Sequence, residues 1–275
     1  MTGGLAAMLA AVVVGTWNGN WFPSGRAEHR AHPDVEEATS FAAAKMLARG
    51  LAEIDPSGTN DVILCFHEMR GPRAASNLVA RIGRRGLRVV SVSGYRRRDR
   101  FDQQQDAIAT TLPVVATGWS KWKVAGKETP PRGYAFASVV AGHSVTANVY
   151  AVHLKSNYGA TTPAIRAANR AKRSRAAAEL VAVEKGAHAI VAGDMNADRW
   201  RKEFSEESLF TIFEEAGFDN PLARLPANAR GTHPSKRYGD SALDYVFARG
   251  FKCRTPTIVP NDGLSDHYAL FVVVE

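Results

Sequence analysis

Cysteine is scarce in this chain, with two residues, Cys65 and Cys253, among 275. Neither belongs to a C-x-x-C or Cys/His spacing, so no zinc module is read from them. Cys65 lies inside the apolar run 62–66 and reads as a small core residue. A Cys65–Cys253 disulfide is left open, and cysteine usage fixes no compartment. No apolar stretch reaches the roughly 18 residues that a membrane-crossing helix requires. Internal repeats, low-complexity tracts and linker-like segments are also lacking, which argues against a solenoid or tethered modules. One domain over residues 1–275 is expected, large enough to bury its own core without cross-links. Acidic residues are the minority charge: 27 Asp and Glu stand against 35 Lys and Arg, giving +8 and a pI near 9.7. A basic balance favours polyanionic partners.

Hydrophobic residues make up 45% and charged residues 23%, the proportions of an ordinary globular protein. Helical spacing is read at 35–51, 73–84, 163–184 and 204–216, with Asp34 placed to cap the first. Strand-like runs fall at 12–17, 61–66, 87–93, 108–116 (broken at Pro113), 134–141, 145–154, 188–192, 242–248 and 268–274. A hairpin turn is expected at Gly142-His143. Hairpins mixed with strand–helix alternation suit two packed sheets with helices outside, not a purely parallel sheet. Residues 5–14 are apolar enough for a signal-peptide core, but no Lys or Arg precedes them. Residues 1–10 are therefore read as a signal remnant or an extension, and an exported location is favoured slightly over the cytoplasm.

Chemistry-bearing residues gather in five short clusters beside apolar runs: Thr16-Trp17-Asn18, Phe66-His67-Glu68, His153-Leu154-Lys155-Ser156-Asn157, Gly193-Asp194-Met195-Asn196 and Ser265-Asp266-His267. Carboxylates, amides and imidazoles at strand ends can converge on one crevice. Their oxygen-rich donor set suits a hard divalent cation and phosphate chemistry. Asp194 and Asn196 are two apart, so in extended backbone both would face one side. An Asx turn is the competing reading there. Gly193 is read as permitting a sharp turn.

Taken in this order, the five clusters resemble the endonuclease/exonuclease/phosphatase family over residues 12–274. The resemblance implies a four-layer α/β/β/α sandwich of two mixed, mostly antiparallel sheets. It implies a metal-dependent phosphoesterase using Mg2+ or Mn2+, with Ca2+ also compatible. Glu68 would be the principal metal ligand, with Asn18 and Asp266 assisting. Asp194 would activate the attacking water and Asn196 would bind a phosphate oxygen. His153 and His267 would stabilise the phosphoryl transition state, and Asp244 would orient His267. Lys155, Asn157 and Arg132 are weaker candidates for contacts with substrate phosphate. The tyrosine that marks the abasic-site branch has no clear counterpart, since neither Tyr95 nor Tyr134 aligns. The favoured partner is nucleic acid, bound without sequence preference through a basic surface, with the chain a monomer. The dense loop Arg96 to Arg100 is the best candidate contact. The groups Arg81, Arg84, Arg85, Arg88 and Arg166, Arg170, Arg173 are further basic clusters, and the second reads as a solvated helix face. A phospholipid or small phosphoester is the rival substrate, with Trp119 and Trp122 as candidate lipid contacts.

Overall fold

The computed structural model describes residues 11–24, 33–97, 100–123, 129–142, 145–237 and 239–275. The turn residue His143, Arg98 and Asp99 of the dense basic loop and the 1–10 extension lie outside them.

The elements run β1 (Val12–Phe22), α1 (Pro33–Ile54), β2 (Asp61–Met69), α2 (Pro72–Ile82), β3 (Arg88–Val92), β4 (Arg96–Arg97), β5 (Arg100–Phe101), β6 (Gln105–Thr110), β7 (Val114–Lys121), β8 (Gly133–Ala141), β9 (Val145–His153), α3 (Pro163–Val183), β10 (Ala189–Asp194), α4 (Leu209–Glu215), β11 (Asp244–Arg249), β12 (Thr257–Val259) and β13 (Ala269–Val274). Six strands form one sheet in the order β12-β13-β1-β2-β6-β3, and five form a second in the order β11-β10-β9-β8-β7. β4 and β5 make a small hairpin apart. Each large sheet holds one parallel pair, β1 with β2 and β9 with β10, at its centre.

Period-two alternation assigns the faces of the first sheet. Val12 and Val14, Ile63 and Cys65, Ile108, and Leu270, Val272 and Val274 belong to the core between the sheets. Val13, Trp17, Val62, Leu64, Phe66, Phe271 and Val273 face outward, under Ala43, Leu47 and Leu51 of α1 and Leu78 and Ile82 of α2. Helices α3 and α4 cover the second sheet with Ala176, Leu180, Phe210 and Phe213. The result is the expected α/β/β/α sandwich. Cys65 and Cys253 are both buried free thiols. No helix among the described residues is long and apolar enough to cross a membrane.

Three local expectations need correction. The broken strand 108–116 is two strands in different sheets: β6 ends at Thr110 and β7 starts at Val114. Pro113 cannot donate to a ladder, so the chain changes sheets there. The helix expected at 204–216 is confined to Leu209–Glu215. Ahead of it, Glu207 is drawn into a buried ion pair with Arg173 of α3. Gly193 sits inside β10, not at a turn. A Cβ there would lie 1.9 Å from the Val152 carbonyl oxygen and 2.9 Å from the His67 ring. Glycine is therefore required by close approach between β9 and β10 and between the sheets. Gly193→Ala is expected to destabilise the protein by about 1–3 kcal/mol or more, the range for overpacking a filled core. A urea midpoint equal to that of the parent chain would contradict this spacing.

Candidate active site

The inter-sheet core is apolar along most of its length and turns polar at one end. There the faces that carry Val14, Cys65, Ile108 and Ala192 continue into Thr16 and Asn18, His67, Asp106 and Asp194. Register delivers the site: Asp194 on β10 pairs with His153 on β9 and with Asp244 on β11. Across the seam, Asn18 on β1 pairs with His67 on β2. Glu68, next along β2, has φ +56°. Asn18, Glu68, Asp194, Asp244, His153 and His267, scattered over the sequence, thus meet at one place.

Asp194 is 1% exposed. Its Oδ2 accepts from Asn18 Nδ2 at 3.0 Å and Asn196 Nδ2 at 2.9 Å, and its Oδ1 accepts from the Asn196 backbone N–H at 2.8 Å. His153 Nε2 and His267 Nε2 stand 3.4 and 3.8 Å from the same Oδ2. Burial raises the Asp194 carboxyl to about 7; the His267 charge opposes this, Asp244 adds to it, and the hydrogen bonds from Asn196 and Asn18 oppose it. Asn196 reaches Asp194 through an Asx turn at φ +51°, not through extended strand. The competing Asx-turn reading is therefore the one the backbone adopts, and the turn still brings both side chains together. The Asn196 amide is occupied, since Nδ2 also donates to the Leu154 carbonyl at 3.2 Å. It orients Asp194 instead of offering itself to a phosphate.

His267 Nδ1 lies 2.7 Å from Asp244 Oδ2. Burial alone would lower its pKa, but the Asp244 and Asp194 carboxylates raise it to about 10. The loop before β13 is stapled to β1: Ser265 Oγ donates to the Asn18 carbonyl at 2.7 Å and accepts the His267 N–H at 3.1 Å. Trp17 Nε1 donates to the His267 carbonyl at 3.2 Å.

Glu68 Oε1 is 3.7 Å from His153 Nε2, while Oε2 is buried with no hydrogen-bond partner. Burial raises its carboxyl pKa, opposed by a hydrogen bond from Gln104 and by Arg132 and His267. His153 is held well below the usual imidazole range by burial and by the neighbouring Arg132. Asp266 stands apart at the rim, its side chain 53% exposed and its Oδ2 3.9 Å from His233 Nε2. Among the described residues, Glu68 shares no cluster of three close donor groups with it; Asp266 groups with His233 and His267.

The weaker candidates turn inward. Arg132 donates to the His153 and Leu154 carbonyls at 3.2 and 3.0 Å and to Gln104 Oε1 at 2.9 Å. It braces the end of β9. Asn157 Oδ1 accepts from Arg173, which also donates to the Lys155 carbonyl at 2.7 Å. Lys155 Nζ donates to the Ser156 carbonyl at 2.6 Å. Arg173 is thus a buried clamp on this loop, not part of a solvated helix face. Arg81 pairs with Glu37, Arg84 with Asp55, and Arg88 with the Thr110 and Leu112 carbonyls, so three of the four members of that basic group serve the fold. Tyr95 is buried with its hydroxyl on Asp106, and Tyr134 packs against Trp122 and Tyr150, so neither offers a phosphate contact. Trp122 is 5% exposed, which removes one of the two proposed lipid contacts.

Three residues of the site were not assigned from sequence: His67, Asp106 and Gln104. His67 is fully buried beneath the site, with Nε2 3.0 Å from Thr16 Oγ1 and Nδ1 2.9 Å from Asp106 Oδ1. Tyr95 and Ser93 complete the Asp106 shell. The available signal was a polar side chain on the inward parity of an otherwise apolar strand.

A model of the endonuclease/exonuclease/phosphatase family matches residues 15–267. No curated protein matches. Among solved structures, an endonuclease/exonuclease/phosphatase from Beutenbergia cavernae is similar at 14% identity and TM-score 0.64, over 97% of this chain and 72% of that one. A family protein from Leptotrichia buccalis is similar at 14% identity and TM-score 0.64, over 96% and 99%. D. rerio TDP2 complexed with a single-strand DNA product is similar at 13% identity and TM-score 0.62, over 96% and 99%. At these identities the likeness is one of fold.

Asp194 carries a pH signature. Its folded pKa lies above the ordinary carboxylate value, so the folded state binds this proton more tightly than the unfolded chain does. The contribution is present below about pH 4 and is lost as pH rises through 7. Metal-free protein should therefore lose stability relative to Asp194→Asn across that interval, measured by urea unfolding at successive pH values. A constant difference between the two would contradict a buried carboxyl whose donors only partly offset its burial.

Proposed function

This chain belongs to the endonuclease/exonuclease/phosphatase family of phosphoesterases, and we propose that it is a divalent-metal-dependent phosphodiesterase acting on DNA. The observation that carries the reading is the convergence of two amides and two imidazoles on the single buried oxygen Asp194 Oδ2, beside a carboxylate with a partnerless buried oxygen at Glu68.

Glu68 Oε2 fits a cation: it is buried and unsatisfied, on a carboxylate whose other oxygen faces His153. Oxygen donors suit Mg2+ or Mn2+, with Glu68 as principal ligand, Asn18 beside it, and Asp266, whose charge bears on the Glu68 carboxyl, assisting from the rim. When bound, the ion would neutralise charge on the phosphoryl oxygens. The chain's own groups supply the rest. Asp194, raised towards neutrality, accepts a proton from water, and the two amides fix its orientation. His267, kept cationic by Asp244, donates to the developing charge on phosphorus, and neutral His153 stands beside the same Asp194 oxygen. Asn196 acts on Asp194 and Arg132 on the backbone of His153.

Support for a nucleic acid substrate comes from the +8 balance, and Asp106, Asp194 and Asp244 are buried at the site, which leaves the surface more basic still. The arginine-rich stretch read from sequence includes β4 and β5, which pair with each other and not with the main sheets. Tyr158, on the loop that follows His153, is 84% exposed and offers a stacking surface for a base.

Chelation with EDTA should abolish turnover, and Mg2+ or Mn2+ should restore it. Asp194→Ala and His267→Ala should each lower kcat by about 10²–10⁴ with folding intact. Full activity in either would overturn the roles. Nicking of supercoiled plasmid should weaken steeply with added salt, as phosphate contacts release counterions. Turnover confined to sphingomyelin or inositol polyphosphate would reject the DNA reading in favour of the small-phosphoester one.

A further inference from the structure

His233 has no task in the reaction above, yet it is held firmly. Its backbone N–H donates to the Ser241 carbonyl at 2.9 Å and its carbonyl accepts from Ser241 at 3.0 Å. Next to it, the Thr232 carbonyl accepts from Tyr268 N–H at 2.7 Å, and Thr232 Oγ1 accepts from the Leu243 and Asp244 N–H groups at 3.0 Å each. The segments around 232, 243 and 267 are thus laced together. This lacing sets the His233 ring edge-on to His267, with centroids 4.8 Å apart at 70°. Asp266 Oδ2 lies 3.9 Å from His233 Nε2. One donor atom from each of His233, Asp266 and His267 lies within 4.8 Å of the others.

We propose that His233, Asp266 and His267 form a second metal site, selective for Zn2+ and related transition ions, whose occupancy switches the enzyme off. Two imidazoles and one carboxylate are a donor set that suits zinc and leaves a fourth position for water, whereas Mg2+ prefers oxygen. The outer contacts of a zinc site are also present. A metal-bound histidine typically gives its other ring nitrogen to a carboxylate, and His267 Nδ1 already bonds Asp244 at 2.7 Å. That leaves Nε2 for the ion, which would replace the proton there and release it to solvent. His233 and Asp266 have side chains 29% and 53% exposed, so an ion can reach them from solvent. Because His267 serves both sites, zinc withdraws it from the phosphoryl group. Inhibition then follows without any contest for the Glu68 site.

The test is calorimetric titration of ZnCl2 into the full chain in a large excess of Mg2+. The unmodified chain should bind one Zn2+ at this site. His233→Asn should weaken binding by at least about 10–100-fold, the loss seen when even outer contacts of a metal site are removed. Asp266→Asn, at an exposed position that does not threaten folding, should weaken it likewise, and Glu68→Gln should not. In a bis-aryl phosphodiester assay, Zn2+ should inhibit the unmodified chain, while His233→Asn keeps its Mg2+-supported turnover and resists Zn2+. Equal Zn2+ affinity in His233→Asn and the unmodified chain, or no Zn2+ bound at all, would overturn the proposal. A normal zinc isotherm in a chain without turnover would uphold this site and count against the phosphodiesterase reading instead.

Discussion

A carboxylate taken out of water between two sheets is costly unless donors or charge surround it. Asp194 is such a group, and the upper half of the molecule is arranged around it. Its compensation comes from distant parts of the chain: an amide from β1, an amide and an N–H from its own Asx turn, and an imidazolium held by Asp244. Each partner must arrive within hydrogen-bonding range, so strand ends and turns are distorted to suit. Asn20, Trp21, Glu68, Arg132 and Asn196 all have positive φ without being glycine. Backbone in that region costs on the order of 1–3 kcal/mol per residue and persists only where the surroundings over-determine it. Their clustering at one end of the sandwich marks where folding free energy is given over to chemistry.

Beneath Asp194 lies a second buried polar layer that steadies the first. His67 joins Thr16 on one strand to Asp106 on another, and Tyr95 and Ser93 close the network. A satisfied buried network rigidifies what it spans, whereas a half-satisfied one weakens it. Gly193 shows how tight this region is, because even one added carbon would collide with neighbouring β9 and crowd His67 of the facing sheet. The loop that follows His153 is braced separately, by Arg132 just ahead of β8 and by Arg173 of α3, itself paired with Glu207. The polar end is therefore supported from both sheets and from outside.

Much of this was legible from residue order. Strand-like runs ending in Asn18, Glu68, His153 and Asp194 placed the crevice, and the two sheets follow from hairpins mixed with strand–helix alternation. Contacts made by side-chain atoms with backbone carbonyls were not legible. Arg132, Arg173 and Asn157 look alike in sequence whether they meet a phosphate or a neighbouring loop, and here they meet loops. His67 and Asp106 were hidden because a polar residue within an apolar strand gains meaning only once the facing strand is known. The division of 108–116 between sheets turned on Pro113, whose effect is set by where the next strand can pair.

The central claim is that Glu68 and Asp194 bound one cation-holding pocket at the seam of the two sheets. Anomalous diffraction from crystals soaked in Mn2+ tests it directly. The structure predicts a peak bonded to Glu68, in the space shared with Asn18 and Asp194, and its loss in Glu68→Gln. A fully occupied ion elsewhere, with no density against Glu68, would contradict it.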